Sequence, residues 1–251
     1  MATPSPAPAP KPAPREPSGR PPRKPRLALL AVLVALVLIN LANNRWLHGW
    51  GLATACAATA LLLGIARLAG CDAADLGLGR AALPRGAAWA GALIALVALV
   101  YLAGALLPMT RSLFDDQRNA GLGLGAVLLR ALVYVPIGTV MLEEVAFRGV
   151  LYALVRRGWG GRWATAVSSL LFGLWHILPS LDLASDKPAL GSVFGDSLAG
   201  RVVVDLGAVL FTALAGALFC ELRRRSGSLL PPAALHWSTN ALGYLAGYLL
   251  R

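Results

Sequence analysis

Residues 122–149 read LGLGAVLLRALVYVPIGTVMLEEVAFRG, an apolar run of membrane-spanning length with two adjacent acids near its end. Continued to Arg157 as one straight helix at about 1.5 Å per residue, the run would exceed ~50 Å, against ~30 Å of bilayer hydrocarbon. The sequence therefore predicts a break or a strong tilt, centred on Pro136-Ile137-Gly138, where the helical ladder loses a donor. The same block length recurs along the chain. Further apolar runs at 27–42, 51–69, 87–107, 163–178, 202–221 and 229–250 give an all-α, polytopic helical membrane protein of about seven transmembrane helices.

Composition agrees with that reading. Of 251 residues, 57% are hydrophobic and 14% charged, against roughly 45–50% and about 25% in a soluble domain, which argues against a soluble single domain. The net charge of +11 comes from Lys and Arg spread over the loops, without an aromatic-interleaved basic stripe, so nucleic acid is not an expected partner. With the amino-terminal tail placed in the cytoplasm, alternate loops put fifteen Lys and Arg on that side and six on the other, with Arg130 and Arg148 inside spans. Twenty Arg against three Lys, with abundant Ala and Gly, suggests a bacterial chain and hence the inner membrane. Cys56, Cys71 and Cys220 are far apart and form no CxxC, so neither a disulfide framework nor a thiolate metal site is expected.

Three regions follow. Residues 1–26 hold ten prolines and six basic residues, a disordered cytoplasmic tail suited to anionic headgroups. Residues 27–121 carry the first three spans, beginning with a retained signal anchor, and 122–251 form the core. There is no internal repeat or inverted pair of broken helices to indicate a transporter.

Charged groups at helix centres mark function by default, since each acid costs about 2.5–3.5 kcal/mol to insert. Arg148 lies four residues after Glu144, on the same helix face, and pairs with it. Glu143 is rotated about 100° away and is the carboxylate left free to act as a general base on water. The competing reading has both acids paired with Arg148 or Arg130 simply to hold helices together. His176, and His236 with Asn240 one turn beyond it, fall on later spans. Counted from the cytoplasmic helix ends, Glu143, His176 and His236 lie roughly 20, 21 and 14 Å deep at 1.5 Å per residue.

Two chemistries fit this set. Glu143 and His176 polarise a water while His236 and Asn240 donate to an oxyanion, or Glu143, His176 and His236 hold a divalent metal such as zinc that activates the water. No HExxH is present, and haem held by the two histidines is a third arrangement. Ser168, Ser169 and Ser238 lack a nucleophile turn and read as packing groups, and Trp175 and Trp237 either line a groove or fill the core.

Glu143-Glu144-Val145-Ala146-Phe147-Arg148, Phe172-Gly173-Leu174-Trp175-His176 and His236-Trp237-Ser238-Thr239-Asn240 resemble the EExxxR, FxxxH and HxxxN motifs of the CPBP family. That family comprises CAAX prenyl endopeptidases and bacteriocin-processing proteases, also called Abi. The resemblance spans about 136–245 and implies an all-helical core whose catalytic cavity opens toward the cytoplasm, in keeping with the orientation read from charge. It implies an intramembrane endopeptidase acting on a membrane-proximal or carboxyl-terminal segment of a peptide or protein. Glu143 would be the base, His176 its partner on the water, His236 and Asn240 the oxyanion pair, and Glu144, Arg148 and Phe172 supporting residues. Members are usually classed as metalloproteases, and the motifs also fit a glutamate mechanism without a stable metal. A non-catalytic membrane scaffold or bacteriocin-immunity protein on the same fold is the competing function.

Overall fold

The structure, a computed structural model, describes residues 25–47, 49–114, 116, 120–181, 183–194 and 197–250. The tail up to residue 24 and His48 lie outside the described residues. All regular elements among the described residues are helical. Besides short non-α turns of helix at Ala42–Trp46, Arg80–Ala82 and Pro108–Phe114, they are α1 (Pro25–Leu41), α2 (Gly51–Leu68), α3 (Leu83–Leu106), α4 (Leu124–Trp159), α5 (Gly161–Trp175), short α6 (Ile177–Ser180), α7 (Leu183–Asp186) and α8 (Pro188–Phe194), then α9 (Leu198–Ser226) and α10 (Leu230–Leu249).

Among the described residues five helices are long and apolar enough to cross a membrane: Arg26–Trp46, Gly51–Leu68, Arg80–Leu106, Leu124–Trp159 and Leu198–Ser226. The other two expected spans exist as α5 and α10 but fall short by that measure. At 15 residues, α5 is below the roughly 17–25 that cross a bilayer, and α10 carries His236, Ser238, Thr239 and Asn240 among its apolar residues. Large apolar side chains such as Val34, Leu99 and Leu214 face outward, as a lipid-facing surface requires.

α4 forms the axis of the bundle. Every residue from 142 to 155 is buried, because α1, α2, α5 and α9 pack around it, so the charged Glu143, Glu144 and Arg148 in this stretch need partners inside the bundle. The expected break at Pro136 is not there. Instead α4 continues through widened turns, with i to i+5 hydrogen bonding over Arg130–Met141 and again over Glu144–Leu151. Pro136 has no N–H to give the ladder, and widening absorbs that loss without ending the helix; such turns gather at functional sites.

Arginines tie one end of the bundle together. Arg157, near the end of α4, donates to the carbonyls of Ala69 and Gly70 at 3.3 and 2.8 Å and to Asp75 at 2.6 Å. Arg156 reaches Asp75 at 3.3 Å, and Arg223 from α9 donates to the carbonyls of Ala74 and Asp75 at 3.2 and 2.9 Å. Gly77, at φ 77°, must be glycine twice over, since a Cβ there would also overlap the Arg223 guanidinium. Its carbonyl accepts from Leu229 N–H at 3.0 Å. The ends of α2, α4 and α9 and the starts of α3 and α10 therefore meet here. At the opposite end Thr54 donates to Asn43 at 2.7 Å and Lys187 pairs with Asp116 at 2.9 Å.

α5 and α9 approach through small residues. A Cβ on Gly173 would sit 2.7 Å from the Val209 carbonyl oxygen and 2.9 Å from Ala213 Cβ. Gly173→Ala is therefore expected to destabilise by about 1–3 kcal/mol through overpacking, read as a lower apparent melting temperature in detergent. Gly91→Ala, which meets nothing within 4 Å, serves as the control without that clash.

Burial opposes ionisation of Asp75, but the Asp72 backbone N–H and Arg157 outweigh it and hold the carboxyl below its ordinary 3.8. A carboxyl depressed on folding adds stability above its unfolded pKa and loses it as pH falls through the folded one. Stability should therefore fall below about pH 4, and Asp75→Asn should flatten that part of a melting-temperature-against-pH curve.

Candidate active site

The three motifs converge at mid-bundle. Arg148 is fully buried, its Nη1 3.2 Å from Glu144 Oε1. Its guanidinium carbon lies 3.8 Å from the centroid of Phe172 and 4.8 Å from that of Phe219, so the charge is held between aromatic faces as well as by a carboxylate. A Cβ on Gly216 would come within 3.2 Å of Arg148 Nη2, so this glycine of α9 makes the room the guanidinium occupies.

Glu144 Oε1 also receives His236 Nδ1 at 2.9 Å. A carboxylate only accepts, so in the neutral ring Nδ1 carries the proton and Nε2 the lone pair. His176 is set the same way by a different group. It stands at the carboxyl-terminal cap of α5, with φ −85° and ψ 0°, where Nδ1 lies 2.8 Å from the Phe172 carbonyl. Both Nε2 atoms face Glu143 Oε2, from His176 at 3.9 Å and from His236 at 3.8 Å. That oxygen is buried without a hydrogen bond among the described residues, while Oε1 accepts from Trp175 Nε1 at 3.1 Å. A water in such a gap has two protons to give, enough for Glu143 Oε2 and one of the two Nε2 lone pairs.

Both Nε2 atoms stand farther from Glu143 Oε2 than the roughly 3.3 Å ligand spacing of a tetrahedral zinc with bonds of about 2.0–2.1 Å. Among the described residues no group of three or more His, Cys, Asp or Glu is arranged to hold a metal ion. The expected set of Glu143, His176 and His236 thus does not fit zinc as it stands.

Above this cluster opens a cavity of about 910 Å³. Its floor is Glu143, Phe172, Phe219 and His236; Asn240 lines the wall, exposed and with its amide making no hydrogen bond among the described residues. Val204, Phe211 and Phe194 make much of the remainder apolar, and Asn43, Asp116 and Lys187 lie at the far end. The resemblance implies an opening toward the cytoplasm, the side to which the loop charges assign the arginine-rich loops. The cavity extends away from the arginine-tied end, not toward it.

The Glu144–Arg148 pair stands as the spacing predicted, and the structure brings Glu143, His176, His236 and Asn240 to one cavity. The sequence reading did not anticipate the grip of Glu144 on His236, the stacking of Arg148 on Phe219, or the Trp175 bond to Glu143. A signal existed for the last: a buried indole N–H needs an acceptor, and Glu143 is the uncommitted acid nearby in that core. Trp237 instead donates to the Ala131 carbonyl at 2.9 Å and ties α10 to α4. Ser168 donates to the Phe147 carbonyl at 2.8 Å, a packing role.

Residues 125–242 match the family model described as type II CAAX prenyl endopeptidase Rce1-like. The match is consistent with the CPBP and CAAX protease family that the three motifs resemble. No curated protein and no solved structure matches the chain.

Removing Arg148 would leave Glu144 as a buried charge balanced only by an imidazole. Arg148→Ala is expected to destabilise by about 3–5 kcal/mol, with Arg148→Lys intermediate because an ammonium cannot stack between Phe172 and Phe219 as a planar guanidinium does. Denaturant or thermal unfolding of detergent-purified protein gives the order.

Proposed function

We propose that this multi-pass membrane protein, matched over residues 125–242 by the Rce1-like model, is an intramembrane endopeptidase that hydrolyses a peptide bond with a water activated by Glu143. The observation that carries this reading is the convergence of two imidazole Nε2 atoms on one unpartnered carboxylate oxygen at the floor of a large cavity. We read its home as a bacterial inner membrane with the tail in the cytoplasm, from the Arg-rich, Ala-rich composition and the loop charges.

In the proposed reaction a water donates one proton to Glu143 Oε2 and the other to His176 Nε2, which leaves the His236 Nε2 lone pair open. Glu143 removes one proton as the oxygen adds to the peptide carbonyl. Neutral His236 has no Nε2–H to offer, because Glu144 holds its proton on Nδ1. Once Nε2 takes the proton from Glu143, the imidazolium is balanced by Glu144, and its new N–H donates to the oxyanion beside the Asn240 amide. The same proton then leaves with the departing amine. His176 positions the water through its lone pair, and Trp175 fixes the rotation of Glu143 by holding Oε1.

Glu143→Gln keeps the shape and removes the base, so cleavage of hydrophobic-tailed peptides by purified protein should fall by about 10²–10⁴. Trp175→Phe removes a hydrogen bond to a charged acceptor, about 1.5–3 kcal/mol, and should lower kcat by about 10- to 100-fold with KM little changed. Equal cleavage by wild type and Glu143→Gln would overturn the assignment and favour the scaffold reading. Loss of cleavage with chelator, restored by zinc, would show that the site closes around a metal in use.

A further inference from the structure

We infer that Asn40, on the first helix and outside the matched residues 125–242, is a positioning residue of the site: it caps the carbonyl at the end of α5 and so fixes Trp175 and His176 against Glu143. Its part in catalysis rests on the proposed peptidase; its hold on the two side chains does not.

The need for a cap is written in the sequence. In a continuing helix the Trp175 carbonyl would accept from the N–H of residue 179, but that residue is Pro179, which has no N–H and whose ring crowds the carbonyl four residues before it. Accordingly α5 ends at Trp175, and His176 takes φ −85° and ψ 0°. Two of the preceding carbonyls are met by His176 itself, its N–H donating to Gly173 at 3.0 Å and its Nδ1 lying 2.8 Å from Phe172. The Trp175 carbonyl instead receives Asn40 Nδ2 at 2.7 Å, from another helix. Without that donor a buried carbonyl would lose its hydration and gain nothing in return.

Asn40 suits that place. It continues the buried stripe of Val32, Ala35, Leu36 and Ile39 along α1, where an amide is costly unless it is hydrogen-bonded. Its Oδ1 accepts from Asn44 Nδ2 at 3.1 Å while its own Nδ2 donates to Trp175. Turned over, the amide would set donor against donor and acceptor against acceptor, so the two partners fix its orientation. The effect reaches the site through the peptide unit that joins Trp175 to His176. On one side of it, Trp175 Nε1 holds Glu143 Oε1 at 3.1 Å; on the other, His176 Nε2 faces Glu143 Oε2 at 3.9 Å. Holding the carbonyl between them holds both side chains against one carboxylate. The working unit of the site therefore includes the first helix.

Asn40→Leu keeps the size and removes the donor. In the detergent-purified full chain, kcat for hydrophobic-tailed peptides should fall about 5- to 30-fold with KM within about twofold, as expected for one hydrogen bond whose acceptor is left buried. Leu36→Ala, one turn earlier on the same stripe, removes packing but not that bond, and should lower the melting temperature while leaving kcat unchanged. An equal fall in kcat from both variants, or none from Asn40→Leu, would overturn the inference. A second readout needs no catalysis. In a His48→Gln background, nitrogen-15 labelled histidine reports only His176 and His236. Asn40→Leu should move the His176 signals and leave those of His236 in place; unmoved His176 signals would overturn the inference. Asn40→Ala makes the same test if the leucine variant does not fold. A wild type that cleaves nothing sinks the peptidase reading alone, and the histidine signals still decide the positioning.

Discussion

A guanidinium with no exposed surface stands at the centre of this protein, and the rest of the site is arranged by what it takes to keep it there. An unpaired charge in a low-dielectric interior is prohibitive, and even a paired one depends on good geometry. Arg148 meets that demand with Glu144 one helical turn before it and with the faces of Phe172 and Phe219 from two other helices. Those contacts set the separation of α4, α5 and α9, and Gly216 supplies the space that a larger residue would fill. Once Glu144 is fixed, so is His236, whose Nδ1 it holds.

Two adjacent acids on one helix thereby address the two nitrogens of one imidazole. Glu144 bonds Nδ1, and Glu143 faces Nε2 across a gap. Neighbours on an ordinary helix diverge by about 100°, and here that divergence lets one carboxylate orient the ring while the other faces the cavity. The widened turns on both sides of Leu142 and Glu143 place this pair in the least regular stretch of α4, where the ladder already lacks the Pro136 donor.

Much of this was legible in the sequence, for identifiable reasons. Spacing alone joined Glu144 to Arg148, and membrane depth marked Glu143, His176 and His236 as residues in need of a role. What spacing did not carry was the third dimension. The i to i+4 rule speaks only within one helix, so the reach of Glu144 to α10 and of Trp175 to α4 lay beyond it. His176 read as a mid-span residue because the apolar run continues to Leu178, whereas α5 ends at that histidine and a turn follows. Pro136 promised a break, and the surrounding helices hold α4 continuous. Loop charges correctly grouped the arginine-bearing ends, but the opening of the cavity depends on how the helix ends splay, which no count of residues records.

The central claim is that neighbouring acceptors hold each imidazole by Nδ1 and leave both Nε2 lone pairs facing Glu143. Nitrogen-15 NMR of histidine-labelled protein in detergent tests this most directly, at about pH 8.5, where an ordinary imidazole is neutral. A His48→Gln background leaves the two rings of interest. The account predicts that both carry the proton on Nδ1, and that Glu144→Gln disturbs the His236 signals while leaving those of His176 in place. Protonation on Nε2 in either ring of the unaltered site would contradict it.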